Sequence, residues 1–213
     1  SNADKASKPS KEIADCILEQ LGPAITAPKL PGQTAGAGFE GVCASFVSVC
    51  FERMHHLRPG SFTVNKGGGI AMFDQYAHLD DLEAIAKSNR EIATAIGSDY
   101  LIKPDIVVTR APEPDDLINS NERLVDSETA RFTSLRAINQ PLEILHASIS
   151  CKWTLRSDRA QNARSEGLNL VRNRKGRLPH IAVITGDPTP GRVASLALGT
   201  GDIDCVYHFA LYE

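Results

Sequence analysis

The sequence predicts an α/β protein, a mixed β-sheet flanked by helices. Short β-branched runs alternate with amphipathic stretches through the second half, at Ile102 to Val108, Leu142 to Trp153 and Ile181 to Thr185. Helical periodicity dominates the first hundred residues, where apolar side chains recur three and four apart. The chain has 213 residues, 42% of them hydrophobic and 23% charged, which suits one large soluble domain with its own core. Ser1-Asn2-Ala3 reads as an expression scar, so a single domain is expected over 4–213.

Glu12 to Leu21 places Ile13, Ile17, Leu18 and Leu21 on one helical face, and Gly22-Pro23 ends it. The stretch 22–38, rich in Pro, Gly, Ala and Thr, reads as a loop. A second apolar helix is expected from Phe39-Glu40 to about Met54. Residues 57–69, with Arg58-Pro59-Gly60 and Gly67-Gly68-Gly69, read as loop or hairpin. Asp80 to Ile96 reads as one amphipathic helix stopped by Gly97. The strand at Ile102 to Val108 carries Pro104 near its start, so it should be short or irregular there. Glu113 to Glu128 is acidic and reads as a surface insertion. In Leu142 to Trp153 a strand should point Ile149 and Cys151 the same way, Arg159 to Asn173 has helical character, and 202–210 is a further strand candidate.

Composition excludes several classes. The longest near-apolar run, Val42 to Phe51, is too short to cross a bilayer, and the polar first twelve residues are no signal peptide, so a cytoplasmic protein without a membrane partner is expected. The five cysteines form no Cys-x-x-Cys pair; Cys43 and Cys50 should share a helix face as small buried side chains. Phosphate-loop, Gly-x-Ser-x-Gly and His-Glu-x-x-His patterns are absent. The adjacent His55 and His56 cannot share a helix face, which makes them poor metal ligands.

Charge is unevenly placed. Lys152 to Arg177 holds eight of the 23 Lys and Arg but two of the 26 Asp and Glu, on a chain of net charge −3. Such segregation suits a surface for a polyanion, though a solvated basic helix would look the same.

The residues suited to chemistry are Lys103-Pro104-Asp105 at one strand and Ser150-Cys151-Lys152 at the end of another. A carboxylate and a lysine converging at a sheet edge can hold a hard divalent cation, position a water and stabilise charge on a phosphoryl transition state. Asp105 and the backbone carbonyl of Cys151 are oxygen donors suited to magnesium; the thiol is not. The acid that nuclease sites commonly carry two residues before the lysine is replaced here by Ser150. Glu166, on the following helix, is the substitute carboxylate. Arg156-Ser157-Asp158-Arg159 can read G·C pairs, since arginine bonds guanine O6 and N7 and aspartate accepts from cytosine N4. It could equally be a surface ion-pair cluster.

Lys-Pro-Asp, Ser-x-Lys, Arg-Ser-Asp-Arg and a helix glutamate, in that order, resemble the CCGG family of type II restriction endonucleases in the PD-(D/E)XK superfamily. The likeness is closest to the NgoMIV-type branch. Gly32-Gln33-Thr34-Ala35-Gly36-Ala37-Gly38-Phe39-Glu40 is similar to that family's glycine-rich lead into an active-site helix, and the resemblance runs from about residue 31 to 210. It implies a restriction-endonuclease-like core and double-strand cleavage leaving 5′-phosphates, with Mg²⁺ as cofactor at two ions per active site. By position it implies Asp105 as metal-binding aspartate, Cys151 as carbonyl ligand, Lys152 as catalytic lysine, Glu166 as the relocated carboxylate and Glu40 as an accessory glutamate. Arg156, Asp158 and Arg159 match the readers of the CCGG core. Arg192, in Thr189-Pro190-Gly191-Arg192, falls where the NgoMIV-type branch contacts the outer guanine, which favours GCCGGC cut after its first G. No second outer-base reader is evident near the N-terminus. Arg172, Arg174, Lys175 and Arg177 are expected to contact backbone phosphates.

Such enzymes continue past the position of Tyr212-Glu213, and a missing terminal segment would bear on assembly more than on chemistry. They act on double-stranded DNA as homo-oligomers: the resemblance implies a tetramer, and a palindromic target by itself calls for at least a dimer. Two other readings are a nuclease fold kept for DNA binding without cleavage, and a repair nuclease that selects DNA structure.

Overall fold

The computed structural model describes residues 3–22, 30–97, 100–199 and 201–209. Its centre is a five-stranded sheet in the order β1 (Phe62–Lys66), β2 (Ile106–Arg110), β3 (Ile144–Lys152), β4 (His180–Thr185), β5 (Cys205–His208). β1, β2 and β3 are antiparallel neighbours, whereas β3, β4 and β5 run parallel. The sheet is therefore mixed, as the alternation of strands and helices predicts. The register between β2 and β3 breaks between Val108 and Thr109, where His146 is the extra, unpaired residue of β3.

Seven helices flank these strands among the described residues: α1 (Lys8–Leu21), α2 (Gly32–Arg53), α3 (His78–Ser88), α4 (Arg90–Ile96), α5 (Asp115–Ile118), α6 (Ser157–Asn173) and α7 (Pro190–Ala197). α2 covers one face of the sheet, where Ile106, Val108, Ile149 and Cys151 meet Cys43, Phe39, Val47 and Phe51. The other face carries Val107, Leu145, Ile181 and Val183 against Leu79 of α3, Ala163 and Leu170 of α6 and Leu196 of α7. Alternate residues of β2 thus feed opposite cores, as the pleat requires. Tyr76 is fully buried there and donates its hydroxyl to the Leu170 carbonyl at 3.0 Å.

Two glycines set close approaches. A Cβ on Gly167 would lie 2.6 Å from the Asp202 carbonyl oxygen, so only glycine lets α6 pack on that loop. A Cβ on Gly186 would meet the Trp153 ring at 2.6 Å.

Several elements depart from the sequence reading. α2 begins at Gly32, so the glycine-rich stretch read as loop is helical from that point on. The penalty of its glycines, about 1 kcal/mol each, is offset where Phe39 packs on Trp153 with ring centroids 5.3 Å apart. The 22-residue α2 is, by length and composition alone, long and apolar enough to cross a membrane, which the shorter run Val42 to Phe51 did not suggest. Here one side of it lies on β1 and β3. The helix read over Asp80 to Ile96 is two, because Asn89 leaves the helical conformation and its Oδ1 accepts from the N–H groups of Glu91 and Ile92 as an N-cap. Residues 62–66 form β1, the hairpin-like partner of β2. The strand read from Ile102 begins only at Ile106.

The acidic insertion is ordered around one cation. Arg136, 5% exposed, bonds both carboxylate oxygens of Asp115 and the carbonyls of Asp126, Thr129 and Ala130. That pairing holds the Asp115 carboxyl below the usual range.

Candidate active site

The antiparallel pairing of β2 with β3 ends at Ile106 opposite Ile149. The chain before β2 diverges there, and the Asp105 side chain takes over the role of a backbone acceptor. Its Oδ2 accepts the Cys151 N–H at 2.7 Å and the Lys152 Nζ at 3.2 Å. In a strand, a residue's N–H and C=O point to the same side. The Cys151 carbonyl therefore faces the Asp105 side, while the Lys152 carbonyl faces β4 and accepts from Gly186 N–H and Thr185 Oγ1.

Ile149 and Cys151 point into the α2 core, as the alternation predicts, so Ser150 and Lys152 point toward α6. There Ser150 Oγ donates to Glu166 Oε2 at 3.0 Å, and Glu166 Oε1 lies 3.9 Å from Lys152 Nζ. The serine at the usual acid position thus holds the carboxylate that comes from the helix. Asp105 and Glu166 converge on one ammonium, with side-chain exposures of 25%, 33% and 14% for Asp105, Glu166 and Lys152.

Glu40, half-buried on α2, lies close enough that its charge acts on Cys43 and Cys151. The Cys151 thiol is pushed up, first by its hydrogen bond with Cys43, then by burial and the negative charge of Asp105 and Glu40. A thiol held protonated is no metal ligand, which leaves the carbonyl as the donor at this position. Asp105, Glu166 and that carbonyl form an all-oxygen donor set, and such a set fits Mg²⁺. Among the described residues no group of three His, Cys, Asp or Glu side chains is assembled as a metal cluster. The fit therefore depends on a backbone carbonyl as well as side chains.

The strand runs from Lys152 into the start of α6, where Arg156 and Asp158 are exposed and Arg159 is half-buried. Among the described residues none of the three forms an ion pair, so the ion-pair reading of this tetrapeptide does not hold. Arg192 is brought beside them from α7: its Nη1 donates to the Leu155 carbonyl at 2.7 Å. Buried Asp187 ties the same loop by accepting the Leu155 N–H at 3.0 Å and the Thr189 hydroxyl. All nine expected site residues thus fall in one region, where the start of β2 and the end of β3 meet α2 and the starts of α6 and α7.

The family model described as NgoMIV restriction enzyme matches residues 1–213, the whole chain. The chain belongs to that family. The NgoMIV family relative "Type II restriction enzyme NgoMIV" from Neisseria gonorrhoeae is 57% identical over 218 residues, covering 100% of this chain and 76% of the relative. Membership makes the chain a type II restriction endonuclease, a site-specific deoxyribonuclease. Among solved structures it is similar to restriction endonuclease Bse634I with cognate DNA, at a TM-score of 0.47 and 14% identity over 94% of this chain and 79% of that one. A second Bse634I structure gives 0.45 and 15%, over 94% of this chain and 78% of that one. The family assignment rests on the matched sequence, and the mixed sheet is seen directly.

Against the NgoMIV family pattern, the structure adds residues that the sequence reading missed. Asp4, at the start of the described chain, lies 3.5 Å from Arg192 Nη2. No local signal marks it, since its partner is almost the whole chain away. Lys66, at the end of β1, places its Nζ against Gly41, next to Glu40. The basic segment also divides. α6 has 17 residues, so about 25 Å separates Arg156 and Arg159 at its start from Arg172, Arg174, Lys175 and Arg177 at or beyond its end. Charge counting along the sequence merged two distinct places.

Proposed function

We propose that this chain makes Mg²⁺-dependent double-strand cuts at a palindrome with a CCGG core, GCCGGC cut after its first G, leaving 5′-phosphates. The observation that carries the chemistry is the convergence of Lys152 on Asp105 and Glu166, with Ser150 holding Glu166 in place. Bound there, Mg²⁺ would lower the pKa of a water and offset charge on the phosphate. Asp105, Glu166 and the Cys151 carbonyl would hold it, with Glu40 as an accessory carboxylate and two ions per site.

The chain's own residues do the rest. Lys152, set between two carboxylates, places its ammonium beside the scissile phosphate and stabilises the charge that develops there. Glu166, fixed by Ser150, can orient the attacking water. Asp105 keeps Lys152 and the Cys151 backbone in register.

Readout follows from the unpaired charges. Arg156 and Arg159 can each bond a guanine edge, and Asp158 can accept from cytosine N4. Arg192 reads the outer guanine, with Asp4 beside it suited to the paired cytosine. A palindrome read this way calls for at least a homodimer on double-stranded DNA, and a tetramer, two such dimers on two sites, is our reading of the assembly. A cytoplasmic setting goes with it.

Short duplexes differing only in the outer pair test the assignment. GCCGGC should be cut with Mg²⁺ and left intact with EDTA, and ACCGGT should be cut at least a hundredfold more slowly. Equal rates on both duplexes would remove Arg192 and Asp4 from specificity.

A further inference from the structure

We infer that a second, separate site on this chain binds a small phosphate-bearing anion, in the cleft between the start of β3 and the end of α6. The cleft has a volume of about 290 Å³, close to the space of ten waters at about 30 Å³ each. It is lined by Arg110, Lys175 and Arg177 against a single carboxylate, Asp74. Among the described residues none of these three cations forms an ion pair.

Three observations point to an anion rather than a solvated basic patch. Arg110, which lines the cleft, makes one side-chain hydrogen bond among the described residues, from Nη2 to the Pro59 carbonyl at 3.3 Å, while its Nε is closed off against Gly60. With five N–H donors on a guanidinium, Arg110 keeps donors for an acceptor in the cleft. His146, which also lines the cleft, is held neutral by burial and by the positive field of His180, Arg58, Arg177 and Arg110. The nearby acid Asp204 is already engaged, accepting the Ile181 N–H and lying 4.0 Å from His180. Cations that crowd one another gain from a shared oxyanion, and the fork of arginine fits a tetrahedral phosphate.

The cleft is distinct from the catalytic region. Arg110 ends β2, which Asp105 precedes, and His146 lies near the start of β3, which Lys152 ends. At about 3.3 Å per residue, roughly 20 Å of strand separates the two. The ligand chemistry is a phosphate monoester or the free ion.

Isothermal titration of the full chain at fixed ionic strength, with inorganic phosphate and separately with AMP, tests this site. Saturable binding is expected for wild type and for Asp105→Asn. At least a tenfold loss is expected for the Lys175→Gln/Arg177→Gln double variant, whose two exposed side chains leave the core untouched. Tighter AMP binding identifies a nucleotide as the source, and equal or tighter phosphate binding identifies the free ion. No saturable binding, or binding unchanged in the double variant, overturns the proposal, as does binding lost in Asp105→Asn.

Discussion

Replacing Asp105 with Asn removes one charge and keeps the shape. The asparagine carbonyl can still accept the Cys151 N–H, now bonded at 2.7 Å, so the end of β3 should hold. What changes is the ion pair with Lys152 at 3.2 Å, worth about 5 kcal/mol at an effective dielectric near 20. Most of that is not lost as stability. Both groups are partly solvated, and two carboxylates face one ammonium, so removing one also relieves repulsion and desolvation. The unfolding free energy should therefore move by no more than about 1 kcal/mol. Cleavage is another matter, since a metal-holding carboxylate is gone. A loss of at least a thousandfold, about 4 kcal/mol of barrier, is expected in a Mg²⁺ cleavage assay. Gel-shift affinity for a GCCGGC duplex in EDTA should persist, because Arg156, Asp158, Arg159 and Arg192 are untouched. Normal turnover would refute the site, and loss of specific binding alongside cleavage would refute the separation of reading from cutting.

Other outcomes follow from single contacts. Ser150→Ala frees Glu166 from its 3.0 Å hydrogen bond and should slow cleavage about tenfold without changing the fold; an unchanged rate would deny the serine its positioning role. Arg156→Ala should cost about 1–3 kcal/mol of discrimination at one G·C pair, and equal weakening on all duplexes would make Arg156 a phosphate contact only. Gly167→Ala should destabilise the protein by about 1–3 kcal/mol, read as a lower unfolding midpoint, because its Cβ would sit 2.6 Å from the Asp202 carbonyl. Burial and neighbouring cations lower the His146 pKa to about 4, below the unfolded value near 6.5. The unfolded chain then binds the extra proton, so this contribution is complete above about pH 6.5 and is lost as pH falls toward 4. His146→Gln should flatten the stability profile in that window, and an unaltered slope would contradict the assignment.

The sequence made β3 and β4 legible because their β-branched runs sit between clear turn signals. Asp105, Lys152 and Glu166 stand out only through the ordered set of motifs that carries the family resemblance, because an Asp, a Lys and a Glu at such spacings are common by chance. The start of α2 was hidden by glycines whose helical state depends on Phe39 meeting Trp153, a contact between distant parts of the chain. Asn89 is a capping residue in plain view, but apolar spacing carries on across it and masks the break. α7 follows Thr189-Pro190, a helix start that went unread beside the interest in Arg192. Asp4 and the cleft around Arg110 depend wholly on tertiary neighbours, so no window of sequence could show them.

The most direct test of the central claim is to incubate the purified protein with plasmid DNA carrying GCCGGC sites, with Mg²⁺ or with EDTA, and to map the ends. The account predicts discrete fragments only with Mg²⁺, every end bearing a 5′-phosphate and falling after the first G of GCCGGC. Sequence-independent nicking, or tight binding at those sites without any cut, would contradict it.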